Sequence, residues 1–140
     1  MTADSQKDIQ YLKAIGRICA ETLRKMMDAT HTGMTTRELD EIGREFLEAE
    51  GARSAPQVTY NYPGMTCISV SPVIAHGIPN EHVLSEGELI HIDVSAELDG
   101  YFADTGASMI VSKRDRNLEK LLDATKATLN NPGVPKSKMI

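Results

Sequence analysis

The sequence predicts an α+β fold in which helices cover an antiparallel sheet. Apolar residues recur every three or four positions from Ile9 to Met26, which indicates an amphipathic helix that begins near Ser5. From Glu88 to Val111, two alternating apolar and polar segments flank the pair Asp99-Gly100, a strong signal for a hairpin of two strands. Helices on either side of one antiparallel hairpin are typical of the α+β class.

A second helix is predicted from Thr35 to about Glu50. Thr35 with Glu38 three residues later forms a capping-box pattern at its start, and Gly51 is expected to end it. The apolar residues at helical spacing between these limits are Leu39, Ile42, Phe46 and Leu47.

The remaining segments follow from turn residues and apolar runs. The Pro, Tyr and Asn cluster from Pro56 to Gly64 predicts a loop, followed by a short strand from Thr66 to Val70. A further short strand is predicted from Val73 to Ala75, and a last helix from Arg116 to Leu129. Asn130-Asn131-Pro132-Gly133 is expected to stop that helix.

Length and charge limit the classes of function. With 140 residues and 41% hydrophobic content, the chain is expected to form one domain spanning 1–140. The net charge of −5 arises from 20 acidic and 15 basic residues without a basic stripe. Nucleic acid is therefore not expected as a primary ligand.

The expected location is the cytoplasm. The segment from Met1 to Gln10 is polar and lacks the apolar core of a secretion signal. No apolar stretch approaches the roughly 18 residues of a membrane span, so no membrane partner is expected. Cys19 and Cys67 lack metal-knuckle spacing and are expected to be free thiols.

The hairpin places two carboxylates together. If Leu98 pairs with Tyr101, then Asp93 and Asp104 are diagonal neighbours on the polar face, within about 7–8 Å at the backbone. Two carboxylates at this separation predict a site for one ion or an adjacent pair of ions. The alternative is that both aspartates are ordinary solvated residues on the wet face of the hairpin.

His76 is a second candidate, in the loop Ala75-His76-Gly77-Ile78-Pro79. A flexible glycine and a φ-restricted proline after the histidine can hold its imidazole at the edge of a cleft. The side chain is then a candidate acid, base or hydrogen-bond donor. The alternative is an ordinary loop histidine.

Three blocks of sequence resemble the type I methionine aminopeptidases, which have the pita-bread (creatinase/aminopeptidase) fold. The blocks are His76-Gly77-Ile78-Pro79, Gly87-Glu88-Leu89-Ile90-His91-Ile92-Asp93-Val94 and Asp99-Gly100-Tyr101-Phe102-Ala103-Asp104-Thr105. Their order and spacing match the family, and the resemblance extends back to Gly16-Arg17. It implies the N-terminal half of a pita-bread fold, with an antiparallel sheet covered by helices.

The resemblance implies an enzyme that removes the initiator methionine from nascent proteins with two divalent metal ions, cobalt, manganese, iron or zinc. It makes Asp93 a ligand of one ion and Asp104 a ligand that bridges both. His76 matches a catalytic histidine that contacts the substrate near the scissile amide. Tyr62 and Cys67 match the wall of the pocket that binds the methionine side chain.

The family's other ligands, one His and two Glu, match no residue of this chain. Pro132-Gly133-Val134 resembles the turn that opens the family's next helix, so we expect the chain to represent the N-terminal half of the catalytic domain. Weak metal binding and self-association through an uncovered sheet face are then expected.

Two other functions remain open. The chain can instead be a catalytically silent pita-bread half that acts as an interaction or regulatory module, for instance near the ribosome. It can also be a relative of the proline-specific aminopeptidases, although no additional domain precedes its first helix.

Overall fold

The structure is a computed structural model that describes residues 3–112 and 115–130. Its helices are α1 (Gln6–Ala29), α2 (Thr36–Ala49), α3 (Ala55–Tyr60) and α4 (Arg116–Asn130). Its strands are β1 (Arg53–Ser54), β2 (Cys67–Val70), β3 (Leu89–Leu98) and β4 (Tyr101–Ile110). The predicted stop at residues 131–133 and the tail that follows it lie outside the described residues.

The capping box predicted for α2 is present, and α1, which begins after Ser5 as predicted, starts with a capping box as well. Ser5 Oγ accepts a hydrogen bond from the Asp8 amide, and the Asp8 carboxylate accepts one from the Ser5 amide. Thr35 and Glu38 make the same reciprocal pair at the start of α2. Because each box satisfies two backbone donors that have no partner within the helix, it fixes the residue at which the helix begins.

Strand β3 lies at the centre of the sheet. It pairs with β4 along its whole length, and its other edge pairs with β2 and β1. The predicted hairpin register is confirmed, with Leu98 opposite Tyr101. Asp99 and Gly100 have φ values of 53° and 86°, as a tight turn between two twisted strands requires.

The core lies between one face of β3 and the two long helices. Its fully buried strand residues are Ile90, Ile92, Val94 and Ala96. Ile15, Cys19 and Met26 from α1 and Leu39 and Leu47 from α2 belong to the same cluster. The alternation along β3 therefore buries the apolar residues and leaves His91, Asp93 and Ser95 on the opposite face.

The prediction of a loop from Pro56 to Gly64 is wrong in its first half, which forms α3. Ser54 caps this helix by accepting a hydrogen bond from the Gln57 amide, and Pro56 lies in the first turn. A proline is tolerated there because its missing N–H would have no partner within the helix. Asn61 ends the helix in a left-handed conformation, with φ 56°.

The prediction of a strand from Val73 to Ala75 is also wrong. The chain turns away after β2, and the Val73 amide bonds back to the Val70 carbonyl instead of to a neighbouring strand. Val73 and Ile74 are 52% and 89% exposed. A preference for strand conformation yields a strand only where a partner and a covering layer are present.

The predicted last helix is confirmed as α4, which lies against β4 and contains no buried residue. No helix in residues 3–112 and 115–130 combines the length and apolar character needed to cross a membrane.

Candidate metal centre

A cavity of about 450 Å³ opens on the polar face of the β3–β4 hairpin. All the residues singled out from the sequence line it: Tyr62, Cys67, His76, Asp93 and Asp104. Pro56, Tyr60 and Ser95 complete the lining. The fold therefore gathers residues from α3, β2, both strands of the hairpin and two loops at one place.

Asp93 and Asp104 are adjacent in this cavity. Asp93 is half-buried on β3, whereas Asp104 is exposed on β4. Burial raises the pKa of Asp93 to about 6, and the hydrogen bond and negative charge of Asp104 act in the same direction. Two carboxylates this close repel each other when both are ionised, which is the electrostatic arrangement that a bound cation relieves.

His76 lies at the edge of the cavity in a left-handed conformation, with φ 57°. In this loop the residue with positive φ is therefore His76 and not Gly77. Gly77 is needed for another reason, because a Cβ atom there would lie 2.3 Å from the Ile68 carbonyl oxygen. The loop passes so close to β2 that only a residue without a side chain fits.

Cys67 and Tyr62 form a neutral part of the wall. Cys67 is the first residue of β2 and lies opposite Asp93. Burial raises the pKa of the Cys67 thiol, and the nearby carboxylates of Asp93, Asp40 and Asp104 add to this effect, although its hydrogen bond with Tyr62 acts in the opposite direction. Burial also raises the pKa of the Tyr62 phenol. Both side chains are therefore uncharged near neutral pH.

Three lining residues were missed from the sequence. Ser95 lies directly opposite Asp104 in the hairpin, so the predicted register already contained the signal for it. Pro56 and Tyr60 belong to α3, which was predicted as a loop. A six-residue helix offers no repeated apolar spacing, and its approach to the cavity could not be read from the chain.

His91 is on the same face as Asp93 but does not line this cavity. Its Nδ1 lies 2.9 Å from Ser108 Oγ, and burial lowers its pKa. The ring covers Gly106, where an added Cβ would lie 2.9 Å from His91 Nε2. His91 therefore occupies the position next to the carboxylates instead of extending into the cavity.

The donor set of the cavity suits a hard divalent cation, because carboxylate oxygens prefer such ions. Within residues 3–112 and 115–130, no group of three or more His, Cys, Asp or Glu side chains is arranged to hold an ion. Two carboxylates fit a metal as part of its ligand set, with the rest of the coordination left to other groups or to water.

Comparison with known proteins gives the family. The profile of metallopeptidase family M24 matches residues 10–132, and the chain belongs to this family. Members are metallopeptidases, so divalent metal ions are the cofactors that the family implies. The structural neighbours have the pita-bread fold, and the fold expected from the sequence is confirmed.

Two similar relatives are methionine aminopeptidases. That of Staphylococcus epidermidis is 47% identical over 132 residues, which cover 94% of this chain and 53% of the relative. Methionine aminopeptidase 2 of Bacillus subtilis is 42% identical over 86% of this chain and 49% of the relative. The chain thus spans about half the length of the curated relatives it matches.

Solved structures give the same picture. The methionine aminopeptidase of Rickettsia prowazekii superimposes with a TM-score of 0.86 at 30% identity, covering 92% of this chain and 52% of that one. The prolidase of Pyrococcus furiosus has a TM-score of 0.71 at 16% identity over 89% of this chain and 36% of that one. The second likeness is one of fold alone.

Proposed function

We propose that this chain contributes to a methionine aminopeptidase, an enzyme that removes the N-terminal methionine from newly made polypeptides with the help of metal ions. The observation that carries the proposal is the cavity in which two adjacent carboxylates meet His76, Tyr62 and Cys67. The identity of 47% to a methionine aminopeptidase supports the choice among M24 activities.

Asp93 and Asp104 are the proposed metal ligands, for two ions of cobalt, manganese, iron or zinc. When bound, such ions polarise a peptide carbonyl and lower the pKa of water, which supplies the hydrolytic chemistry. The carboxylates provide negative charge, and the half-buried position of Asp93 strengthens its attraction for a cation.

His76 is proposed to contact the substrate near the scissile amide. Its imidazole can donate a hydrogen bond to the carbonyl oxygen of the scissile peptide. Negative charge develops on this oxygen during hydrolysis, and the hydrogen bond would stabilise it. Its place at the cavity edge, beside the carboxylates, supports this role.

Tyr62 and Cys67 are proposed to bind the methionine side chain. An aromatic ring and a neutral thiol are weakly polar, and sulfur makes favourable contacts with aromatic rings. The raised pKa values of both groups keep the wall uncharged, which suits a thioether better than a charged side chain.

The experiment is release of methionine from a Met-Ala-Ser peptide by the purified chain in Mn²⁺ or Co²⁺. Asp104→Asn is expected to abolish any metal-dependent release, whereas Asp123→Asn, which alters an exposed carboxylate on α4, is expected to retain it. Release that is equal in the wild-type chain and in Asp104→Asn would contradict the assignment of Asp104.

One observation favours a second function, an interaction or regulatory module without hydrolysis, for example near the ribosome. Within the described ranges, the ligand set consists of two carboxylates and is small for a hydrolase. Mn²⁺ binding that depends on Asp93 and Asp104 but is accompanied by no methionine release would favour this module.

We place the protein in the cytoplasm, where the N-termini of nascent chains are its proposed partners. The buried, unpaired thiols of Cys19 and Cys67 support a reducing compartment. Self-association is proposed as well, because β4 pairs only with β3 among the described strands and leaves its other edge without a strand.

A further inference from the structure

Three hydrogen bonds hold the backbone immediately after His76. The Gly77 carbonyl accepts one from the Ile68 amide at 2.9 Å and another from the Tyr62 hydroxyl at 2.7 Å. The Gly77 amide donates a third to Ser69 Oγ at 3.0 Å. The two peptide units on either side of the Gly77 Cα atom are therefore both fixed.

The surroundings make these bonds strong. Ser69 is 1% exposed, and Tyr62 is half-buried, so water competes poorly for either hydroxyl. The missing side chain at Gly77 allows the loop to lie against Ile68 and Ser69 at this distance. Loss of the Ser69 hydroxyl would leave the Gly77 amide without its protein partner, whereas loss of the Tyr62 hydroxyl would leave the Gly77 carbonyl with the Ile68 amide as its one remaining donor.

The His76 imidazole has no comparable support of its own. In the part of the chain that the structure describes, no group hydrogen-bonds to this imidazole, and the residue is exposed. Its backbone adopts a left-handed conformation that non-glycine residues rarely populate. Because no hydrogen bond from the described residues holds the ring, the backbone on either side of the His76 Cα atom contributes strongly to the direction of its side chain.

We propose that the hydroxyls of Tyr62 and Ser69 are positioning groups that direct His76 toward the Asp93–Asp104 cavity by fixing the Gly77 backbone. This inference rests on the proposed function, since it concerns the histidine assigned to the substrate. It divides Tyr62 into two separable parts, a ring that lines the cavity and a hydroxyl that holds the loop.

Tyr62→Phe is the central variant, because it removes one hydroxyl and keeps the ring. Ser69→Ala removes the second hydroxyl from β2. Tyr11→Phe is the matched tyrosine control, since Tyr11 lies on α1 and stacks on Tyr101 at the start of β4. Ser85→Ala is the serine control, because Ser85 is exposed. All are made in the full 140-residue chain.

The first readout needs no metal. NMR hydrogen exchange measures opening at the Gly77 amide, and the three-bond coupling of the His76 amide reports its φ. We expect exchange at Gly77 to be about tenfold faster in Tyr62→Phe and Ser69→Ala, which matches the loss of one net hydrogen bond. The His76 coupling is expected to change in both, and neither control is expected to alter either quantity.

The second readout distinguishes positioning from local stability. Mn²⁺ bound by the carboxylates broadens the ring-proton signals of a nearby histidine, so this broadening measures how closely His76 approaches the ion. We expect the Mn²⁺-induced relaxation rate of the His76 ring protons, which falls with the sixth power of their distance from the ion, to decrease in Tyr62→Phe while the Mn²⁺ affinity stays at the wild-type value. Unchanged broadening in Tyr62→Phe and Ser69→Ala would overturn the proposal, even if Gly77 exchanged faster.

The two proposals can fail separately. If the wild-type chain binds no Mn²⁺, the proposed metal function fails, and the positioning role is judged from Gly77 exchange and the His76 coupling. Unchanged values of both in Tyr62→Phe and Ser69→Ala would overturn the positioning role, whatever the outcome of metal binding.

Discussion

At the scale of single residues, the cavity combines two carboxylates that repel each other with two side chains that stay neutral. Asp93 and Asp104 repel when both are ionised, while Tyr62 and Cys67 remain neutral because burial disfavours their anions. The metal-free site thus carries an electrostatic cost that the proposed ligand would relieve. Such a cost is typical of sites retained for function, not for stability.

Asp104→Asn is expected to stabilise the metal-free protein at pH 8 by roughly 1 kcal/mol, because it removes one of two like charges at a partly exposed site. Urea unfolding in the presence of a chelator measures the effect. Asp123→Asn on α4 serves as the control and should leave the free energy of unfolding nearly unchanged. A destabilised Asp104→Asn variant would show that the two carboxylates do not repel each other in the folded chain.

Gly77→Ala is expected to destabilise the protein by about 1–3 kcal/mol, since its Cβ would meet the Ile68 carbonyl at 2.3 Å. Gly16→Ala is the matched control. Position 16 lies inside α1, and apart from the adjoining residues and backbone of its own helix no described atom lies within 4 Å of the added Cβ, so this change should stabilise the protein by up to about 1 kcal/mol. Denaturant unfolding measures the stability of both variants. Equal stability of Gly77→Ala and wild type would contradict the close approach of the Gly77 loop to β2.

At the scale of elements, the hairpin is the part that organises the site, and it was also the part most predictable from sequence. Alternation along β3 and the Asp99-Gly100 turn are local signals, so the register and the diagonal aspartates followed from them. Helix α3 was missed because the proline in its first turn reads as a loop residue. Residues 73–75 have strand-forming side chains but no neighbouring strand among the described elements to pair with. Whether such a neighbour is present depends on distant parts of the chain, which a local sequence pattern does not reveal.

Glu97 links the hairpin turn to β1. Its carboxylate is 4% exposed and accepts hydrogen bonds from the Gly100 amide at 2.6 Å and from Arg53 Nε at 2.8 Å. The Gly100 bond is the main cause of its lowered pKa, with Arg53 adding to it. Because the folded-state pKa lies below the unfolded one, this stabilisation is present above the unfolded pKa and is lost as pH falls through the folded pKa.

Glu97→Gln is therefore expected to lose about 1.5–3 kcal/mol of stability at pH 7, the range for a hydrogen bond to a charged group. The difference from wild type should begin to shrink below the unfolded-state pKa of about 4.3 and should keep shrinking until the folded carboxylate, whose pKa is lower, is protonated. Thermal unfolding from pH 3 to pH 8 measures both effects. A difference that stays constant over this range would refute the electrostatic origin.

At the scale of the whole molecule, the described residues form one sheet with α1 and α2 on its apolar face and α3 beside the cavity on its polar face. Helices α1 and α2 bury the apolar face of β3, and the opposite face carries the carboxylate cavity. The family and the pita-bread fold place this arrangement among the M24 metallopeptidases. The chain matches about half the length of these curated relatives.

Self-association is expected to increase with protein concentration, because β4 pairs only with β3 among the described strands and Phe102 on β4 is 49% exposed. Sedimentation velocity over a concentration series measures it. Phe102→Lys is expected to shift the equilibrium toward monomer, since edge lysines oppose strand pairing. A single monomeric species at every concentration would contradict this expectation.

The central claim is that Asp93 and Asp104 together bind a divalent cation, and a Mn²⁺ titration followed by electron paramagnetic resonance tests it most directly. The free-ion signal should decrease with the wild-type chain and with Asp123→Asn, with weak affinity because two carboxylates supply only part of a ligand set. It should remain at the value for free Mn²⁺ with Asp93→Asn and with Asp104→Asn. Equal binding by all four proteins would contradict the assignment of the metal centre to this cavity.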